Sequence, residues 1–243
     1  MTDLVALKAA NARRWAIAKI LKPGTFKAVA SHLVAPVAKQ RYQAVSAKLA
    51  SMDSTVPWPF IAVAHERESS QDWTASLAQG DPWNRVSVHV PAGRGPFRSW
   101  EEAAIDAVVN CSPHAARNRD WSIGGTLTML ERYNGLGYAS RGRPSPYIWS
   151  GTNQYVSGKY VRDGVYDPDA VDGQLGCAGL LMAMMALDPT ITFAGVTITP
   201  PNVPSVPRPV IPAVPKPPSI THPAKGSIGA FIANIFASIF REK

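Results

Sequence analysis

Charge is scarce in this chain. Only 17% of its 243 residues are Asp, Glu, Lys or Arg while 46% are hydrophobic, so material for a packed core is ample and wholesale disorder is excluded. Cysteine is scarcer still: Cys111 and Cys177 are the only two, which excludes a disulfide scaffold and leaves a single pairing open. Cys177 lies in the apolar run 177–187 and reads as a buried thiol. No stretch reaches the roughly 18–20 apolar residues of a membrane span. The N-terminal MTDLVALKAANARRWAIAKILK has no uninterrupted apolar core of signal-peptide type, so synthesis in the cytoplasm without a signal peptide is expected. His65-Glu66 opens a zinc-protease His-Glu-x-x-His pattern, but the position four after His65 is Ser69. His89 and His114 have no ligand spacing, so no metal and no cofactor are expected. Gly93-Arg94-Gly95 is not followed by the helical glycine fingerprint of a phosphate loop.

What charge there is lies unevenly. The net charge is +8 overall, +7 over residues 1–55, −3 over 56–188 and +4 over 189–243. Basic flanks of this kind suit an acidic wall or membrane surface. The mildly acidic middle is unsuited to holding an anionic polymer by bulk charge, and no nucleic-acid partner is expected. Eleven of the 22 prolines fall between Pro189 and Pro223, where fixed φ and missing N–H groups exclude helix and central strand. This predicts basic N-terminal helices over 1–55 packing on the core, a central domain over 56–188, a Pro-rich linker over 189–224 and a C-terminal segment over 225–243. The linker reads as extended and polyproline-like, or as a strap along the domain surface.

Hydrophobic spacing predicts helices over 4–22, 26–49 with a break near Pro36, 58–70, 103–111, 123–133 and 170–187. Pro23-Gly24 reads as a stop, Asp53-Ser54-Thr55 as a cap, and Ser99 with Glu102 as a capping box. Arg85–Val90 alternates at period two between Gly-Asp-Pro and Pro-Ala-Gly and reads as a strand of a small hairpin. Residues 134–167 read as a long Gly/Pro/Tyr-rich loop. The fold expected is mainly α, a helical bundle with one small β-hairpin. Ile228, Phe231, Ile232, Ile235, Phe236, Ile239 and Phe240 share one face of an amphipathic helix. That helix suits a membrane interface, self-association or a groove on the central domain.

The helix from Trp58 turns abruptly from apolar to charged at His65-Glu66-Arg67-Glu68-Ser69-Ser70. At helical spacing Ile61, His65, Glu68 and Asp72 share a face and Glu66 points nearly opposite. Glu68 thus follows the apolar face toward the core, where a carboxyl group keeps its proton to higher pH and can act as a general acid in glycoside cleavage. A solvated helix end with Arg67 as ion partner is the plainer alternative.

The run Arg67-Glu68-Ser69 resembles the catalytic Glu-Ser motif of goose-type lysozymes and soluble lytic transglycosylases. Glu131-Arg132-Tyr133-Asn134-Gly135-Leu136-Gly137-Tyr138 resembles the Tyr-Asn motif that lines the glycan cleft of the transglycosylases. With GDPWNRVSVHVPAGRGPF and SPYIWSGTNQYVSGKY, the block over 56–188 is similar to a group of bacterial and phage lysozyme-family proteins. The resemblance implies a lysozyme-like α+β fold built around a catalytic helix. It also implies cleavage of the MurNAc-GlcNAc strand of peptidoglycan, with Glu68 as general acid/base, and action on the cell wall after release or as part of a particle. The alternative is a non-catalytic glycan-binding or structural component of a phage-like particle. The Gly-Leu-Met-Gln segment of standard transglycosylases is missing, which leaves hydrolysis and anhydro-sugar formation both open. Hydrolysis with inversion needs a second carboxylate; Asp81 is the first candidate and Asp72 the second, although Gly80-Asp81-Pro82 also reads as a plain turn. Ser69 follows the acid in the motif. Tyr133 and Asn134 are candidates to contact sugar, with Asn134-Gly135 equally a helix C-cap. Trp73, Trp83, Tyr147, Trp149 and Tyr155 are candidate sugar platforms, of which only one or two are expected to touch glycan.

Overall fold

The computed structural model describes residues 2–162 and 164–196. The C-terminal amphipathic segment and the expected linker beyond residue 196 lie outside the described residues. Helix α1 (Leu4–Ile17) begins where the Asp3 carboxylate accepts the N–H groups of Val5 and Ala6 at 2.9 and 3.1 Å. It stops at Ile17 rather than Lys22. The chain then runs beside residues 151–153: Leu21 N–H donates to the Gly151 carbonyl at 2.9 Å and Asn153 N–H to that of Lys19 at 3.0 Å. Pro23, expected to end a helix, instead begins α2 (Pro23–Leu33), and Pro36 begins α3 (Pro36–Ala50). In the first turn a missing N–H leaves no intrahelical bond unmade, and the fixed φ of proline suits the helix.

Helix α4 (Trp58–Ser69) matches the helix expected there, but its N-cap is Pro57 and not the Asp53–Thr55 run. Ser54 is occupied elsewhere, its hydroxyl donating to the Ala116 carbonyl at 2.9 Å. Every residue from Pro59 to His65 is buried, so α4 is enclosed on all sides. In α5 (Trp100–Asn110) half of the capping box forms. The Ser99 hydroxyl accepts Glu102 N–H at 3.2 Å, while the Glu102 carboxylate takes Arg98 N–H at 2.8 Å. A short 3-10 turn at Ala115–Arg117 precedes α6 (Ile123–Tyr133), which ends with Asn134 at the C-cap and Gly135 at φ 87°. Two short helices follow, α7 (Gly137–Ser140) and α8 (Pro146–Trp149). The last long helix among the described residues is α9 (Cys177–Leu187).

The small sheet lies elsewhere than expected. Arg85–Val90 forms no strand: Val86, Val88 and Val90 are exposed, and the N–H groups of Val88 and His89 go to the Asp81 carboxylate at 2.8 and 2.9 Å. The antiparallel pair is β1 (Lys159–Arg162) with β2 (Val165–Asp167), inside the expected loop. Tyr160 faces Tyr166 across it, and a bulge lies between Tyr160 and Arg162. The described residues are thus mainly helical with one two-stranded antiparallel sheet.

The N-terminal helices enter one core with the rest. Helix α1 packs on α6, α2 on α9, and α3 on α4 and α5. Phe26, Leu33, Tyr42 and Leu49 are fully buried beside Phe60, Leu127, Trp149 and Leu181. Gly179 on α9 lets α2 approach closely, since the Phe26 ring occupies the space a Cβ would take. Cys111 and Cys177 are both buried and free, so the open pairing is resolved as unpaired thiols. Among the described residues no helix is long and apolar enough to cross a membrane.

Candidate functional site

Helix α4 ends in two successive left-handed residues, Ser70 at φ 52° and Gln71 at φ 62°, and neither is glycine. Such backbone costs about 1–3 kcal/mol per residue and persists only where its surroundings hold it. Here Ser70 N–H donates to the Glu66 carbonyl at 2.9 Å and Gln71 N–H to that of His65 at 3.3 Å. The His65 ring closes the turn. Its Nε2 donates to the Asp72 carbonyl at 3.1 Å, and its Nδ1 accepts from the Tyr42 hydroxyl at 3.0 Å. Burial among Tyr42, Trp73 and Trp100 holds its pKa down to about 4, so the ring is neutral at physiological pH. The turn also removes Asp72 from the helix face on which it was expected. It is exposed, and its Oδ1 accepts both the N–H and the hydroxyl of Thr74, at 2.8 and 2.7 Å.

Glu68 stands just before this turn, half-buried. The Tyr147 hydroxyl donates to its Oε1 at 2.7 Å. Loss of hydration raises the Glu68 pKa above the ordinary glutamate value, and the Tyr147 hydrogen bond and the Arg67 charge offset this only in part. Tyr147 itself is buried at 3% exposure, and the Arg67 guanidinium covers its ring at 4.6 Å. It is therefore a hydrogen-bond partner of Glu68 rather than an open sugar platform.

Arg67 does not pair with a glutamate. Its Nη2 donates to Asp172 Oδ2 at 3.0 Å and its Nη1 to the Leu175 carbonyl at 3.2 Å. Asp172 is buried, and its Oδ1 accepts from Lys159 Nζ at 3.0 Å. Burial alone would raise the Asp172 pKa, but Lys159 and Arg67 hold it below the usual carboxylate range. Tyr155, also buried, accepts Asp172 N–H at 3.1 Å, and the Ser150 hydroxyl donates to the Asp172 carbonyl at 2.9 Å. A continuous chain thus runs from β1 and the 170s loop through Asp172, Arg67 and Tyr147 to Glu68. Neither Asp172 nor Lys159 sits in a sequence pattern that marks it.

The remaining candidates separate by environment. Tyr133 packs edge-on to Phe60 at 5.8 Å; its hydroxyl is buried without a hydrogen-bond partner among the described residues, and burial and then the Glu68 charge keep it protonated. Asn134 is exposed at the α6 C-cap. Ser69 is half-buried, its hydroxyl donating to the His65 carbonyl at 3.2 Å. Trp83 is half-buried with its indole N–H on the Trp73 carbonyl at 2.9 Å. Trp73 packs between Tyr42 and Trp100 under the Arg41 guanidinium at 4.0 Å. Trp149 is wholly buried and offers no face to a ligand. Tyr155 supports Asp172 and is likewise enclosed.

Asp81 is committed to its own loop. Oδ2 accepts Val88 and His89 N–H, and Oδ1 contacts His89 Nδ1 at 2.6 Å. The His89 backbone and ring, followed by Val88, hold its pKa below the usual range. Both oxygens are engaged, an arrangement that organises the 81–91 turn.

Comparison of the chain with protein-family models, with curated proteins and with solved structures gave no match in any of the three.

Proposed function

We propose that this chain is a peptidoglycan-degrading glycosidase of lysozyme-like architecture. It cleaves the MurNAc-GlcNAc strand with Glu68 as the group that first gives and then regains a proton. The carrying observation is the Glu68 carboxyl itself: half-buried at the end of an enclosed helix, raised in pKa, and oriented by the Tyr147 hydroxyl at 2.7 Å. Protonated Glu68 donates to the glycosidic oxygen as the C–O bond breaks, and positive charge develops on the sugar ring. The carboxylate then accepts a proton from the attacking hydroxyl. With Asp81 tied to its turn and Asp72 to Thr74, the attack falls to the sugar's own 6-hydroxyl, giving an anhydro end. That route needs only one acid/base. The resemblance of Arg67-Glu68-Ser69 and the Tyr133-Asn134 segment to lysozyme-family motifs supports the same reading. The site of action proposed is the cell wall, reached after release or as part of a particle.

Digestion of purified peptidoglycan with the wild-type chain, followed by mass spectrometry of the released muropeptides, tests this. Anhydro-muramyl ends are expected. Reducing ends would show hydrolysis instead, with water as the attacking group. Binding to the wall without release of any fragment would make the chain a non-catalytic glycan-binding protein.

Tyr147→Phe provides a second check. The hydroxyl favours the ionised form of Glu68, so its removal raises the Glu68 pKa further. The alkaline limb of the kcat/KM profile should move to higher pH. A limb that stays in place would show that Glu68 does not set it.

A further inference from the structure

A second buried carboxyl lies under a separate cavity. Glu131 on α6 is 1% exposed. Its Oε2 accepts from Asn11 Nδ2 at 3.3 Å, while Oε1 has no hydrogen-bond partner among the described residues. Asn11 on α1 is buried as well, and its amide also reaches Thr128 Oγ1 at 3.2 Å. An α1–α6 contact made only for stability would place apolar side chains here, because a carboxyl oxygen buried without a partner is unfavourable. A cavity of about 540 Å³ opens beside the pair, bounded by α1, the end of α6, α7 and the segment after it. That size lies in the range of small-molecule pockets, about 300–1,000 Å³. Asn11 and Glu131 line it together with Arg13, Arg14, Ser140 and Arg143. Asp3 also faces it, but its carboxylate is occupied in capping α1. Burial pushes the Glu131 pKa up to about 7, against the Asn11 hydrogen bond and the Arg14 charge.

The lining of this cavity calls for opposite chemistries. The Glu131 oxygen without a partner among the described residues calls for a donor, and the three arginines of the lining call for an anion. A simple anion would leave Glu131 unanswered, and a simple cation would meet three guanidinium groups. We propose that the cavity binds a zwitterion of amino-acid or short-peptide type, its ammonium donating to Glu131 and its carboxylate held by Arg143 with Arg13 and Arg14. An ammonium is best met by an ionised carboxylate, so binding near pH 6 should drive a proton off Glu131 into the buffer.

Titration of the full chain with L-alanyl-L-alanine, followed by amide NMR shifts and by calorimetry in buffers of different ionisation heat, tests the proposal. Saturable shifts are expected at Asn11, Glu131 and Arg143, with proton release at pH 6. The N-acetylated dipeptide lacks the ammonium and the C-terminal amide lacks the carboxylate; each should bind at least roughly tenfold more weakly. Free alanine in a parallel titration distinguishes the sources: tighter binding of the dipeptide assigns the site to a peptide terminus, equal binding to an amino acid. Arg143 is exposed, so Arg143→Ala should stay folded and lose about tenfold in affinity. Glu131→Gln should abolish the proton release. Blocked dipeptides that bind as well as the parent, shifts confined to other surfaces, or no saturable shift in the folded wild type would overturn it.

Discussion

Asp172→Ala is expected to lower the free energy of unfolding by about 3–5 kcal/mol, the usual effect of removing one partner from a buried ion pair. The side chains of Arg67 and Asp172 are 5% and 3% exposed, so a lone guanidinium left in that place has neither water nor anion to meet it. Lys159 loses its carboxylate partner at the same time, but with 38% exposure it can turn to solvent and adds little. Urea denaturation reads the loss. A double substitution, Arg67→Met with Asp172→Leu, should be more stable than Asp172→Ala alone, because it removes both charges together. If Asp172→Ala shifts the midpoint no more than a surface substitution does, the pair is not the anchor described. The consequence reaches the site, since Arg67 covers the Tyr147 ring whose hydroxyl orients Glu68. The same variant should therefore lose cleavage even under conditions where it remains folded.

Much of this organisation was legible in the sequence, and the exceptions have physical reasons. The helices from Trp58 and over Ile123–Tyr133 follow from apolar spacing, and the one from Trp100 from the Ser99 cap. Proline was legible as a boundary but ambiguous in direction: Pro23 and Pro36 open helices, and from sequence a helix start and a helix stop carry the same residue. The alternation of Arg85–Val90 looked like a half-buried strand, yet its valines face solvent because Asp81 takes the backbone N–H groups that a neighbouring strand would have used. The true hairpin did carry a signal. Asp163-Gly164 between Tyr160-Val161-Arg162 and Val165-Tyr166 is the kind of pair that closes short hairpins, and it was hidden within a loop-like composition.

Around the site, the face of α4 that carries His65 and Glu68 could be read from helical spacing. What spacing could not reveal is the company Glu68 keeps. Tyr147 is 79 positions away in the chain, and Asp172 is 105 positions from Arg67, so both contacts exist only once the helices have packed. Glu131 was legible only as part of a motif; its burial against Asn11 depends on α1 lying along α6.

Glu68→Gln is the second large effect. Glutamine keeps the shape and can still accept from the Tyr147 hydroxyl, but it has no proton to give. Removing a general acid typically reduces the rate by about 10²–10⁴. Because the native site raises the Glu68 pKa, ionised Glu68 is held at some cost to the fold, and the neutral variant should be no less stable than wild type at alkaline pH. Glu66→Gln is the matched control. Glu66 accepts from Gln71 Nε2 at 2.7 Å and borders a different cavity with His32 and Trp73, so its loss should leave turnover nearly intact. The direct measurement is the release of muropeptides from purified peptidoglycan by wild type, Glu68→Gln and Glu66→Gln, quantified by mass spectrometry at matched protein concentration. The account predicts release by wild type and Glu66→Gln and almost none by Glu68→Gln. Equal release by Glu68→Gln, or none by the wild type, would contradict it.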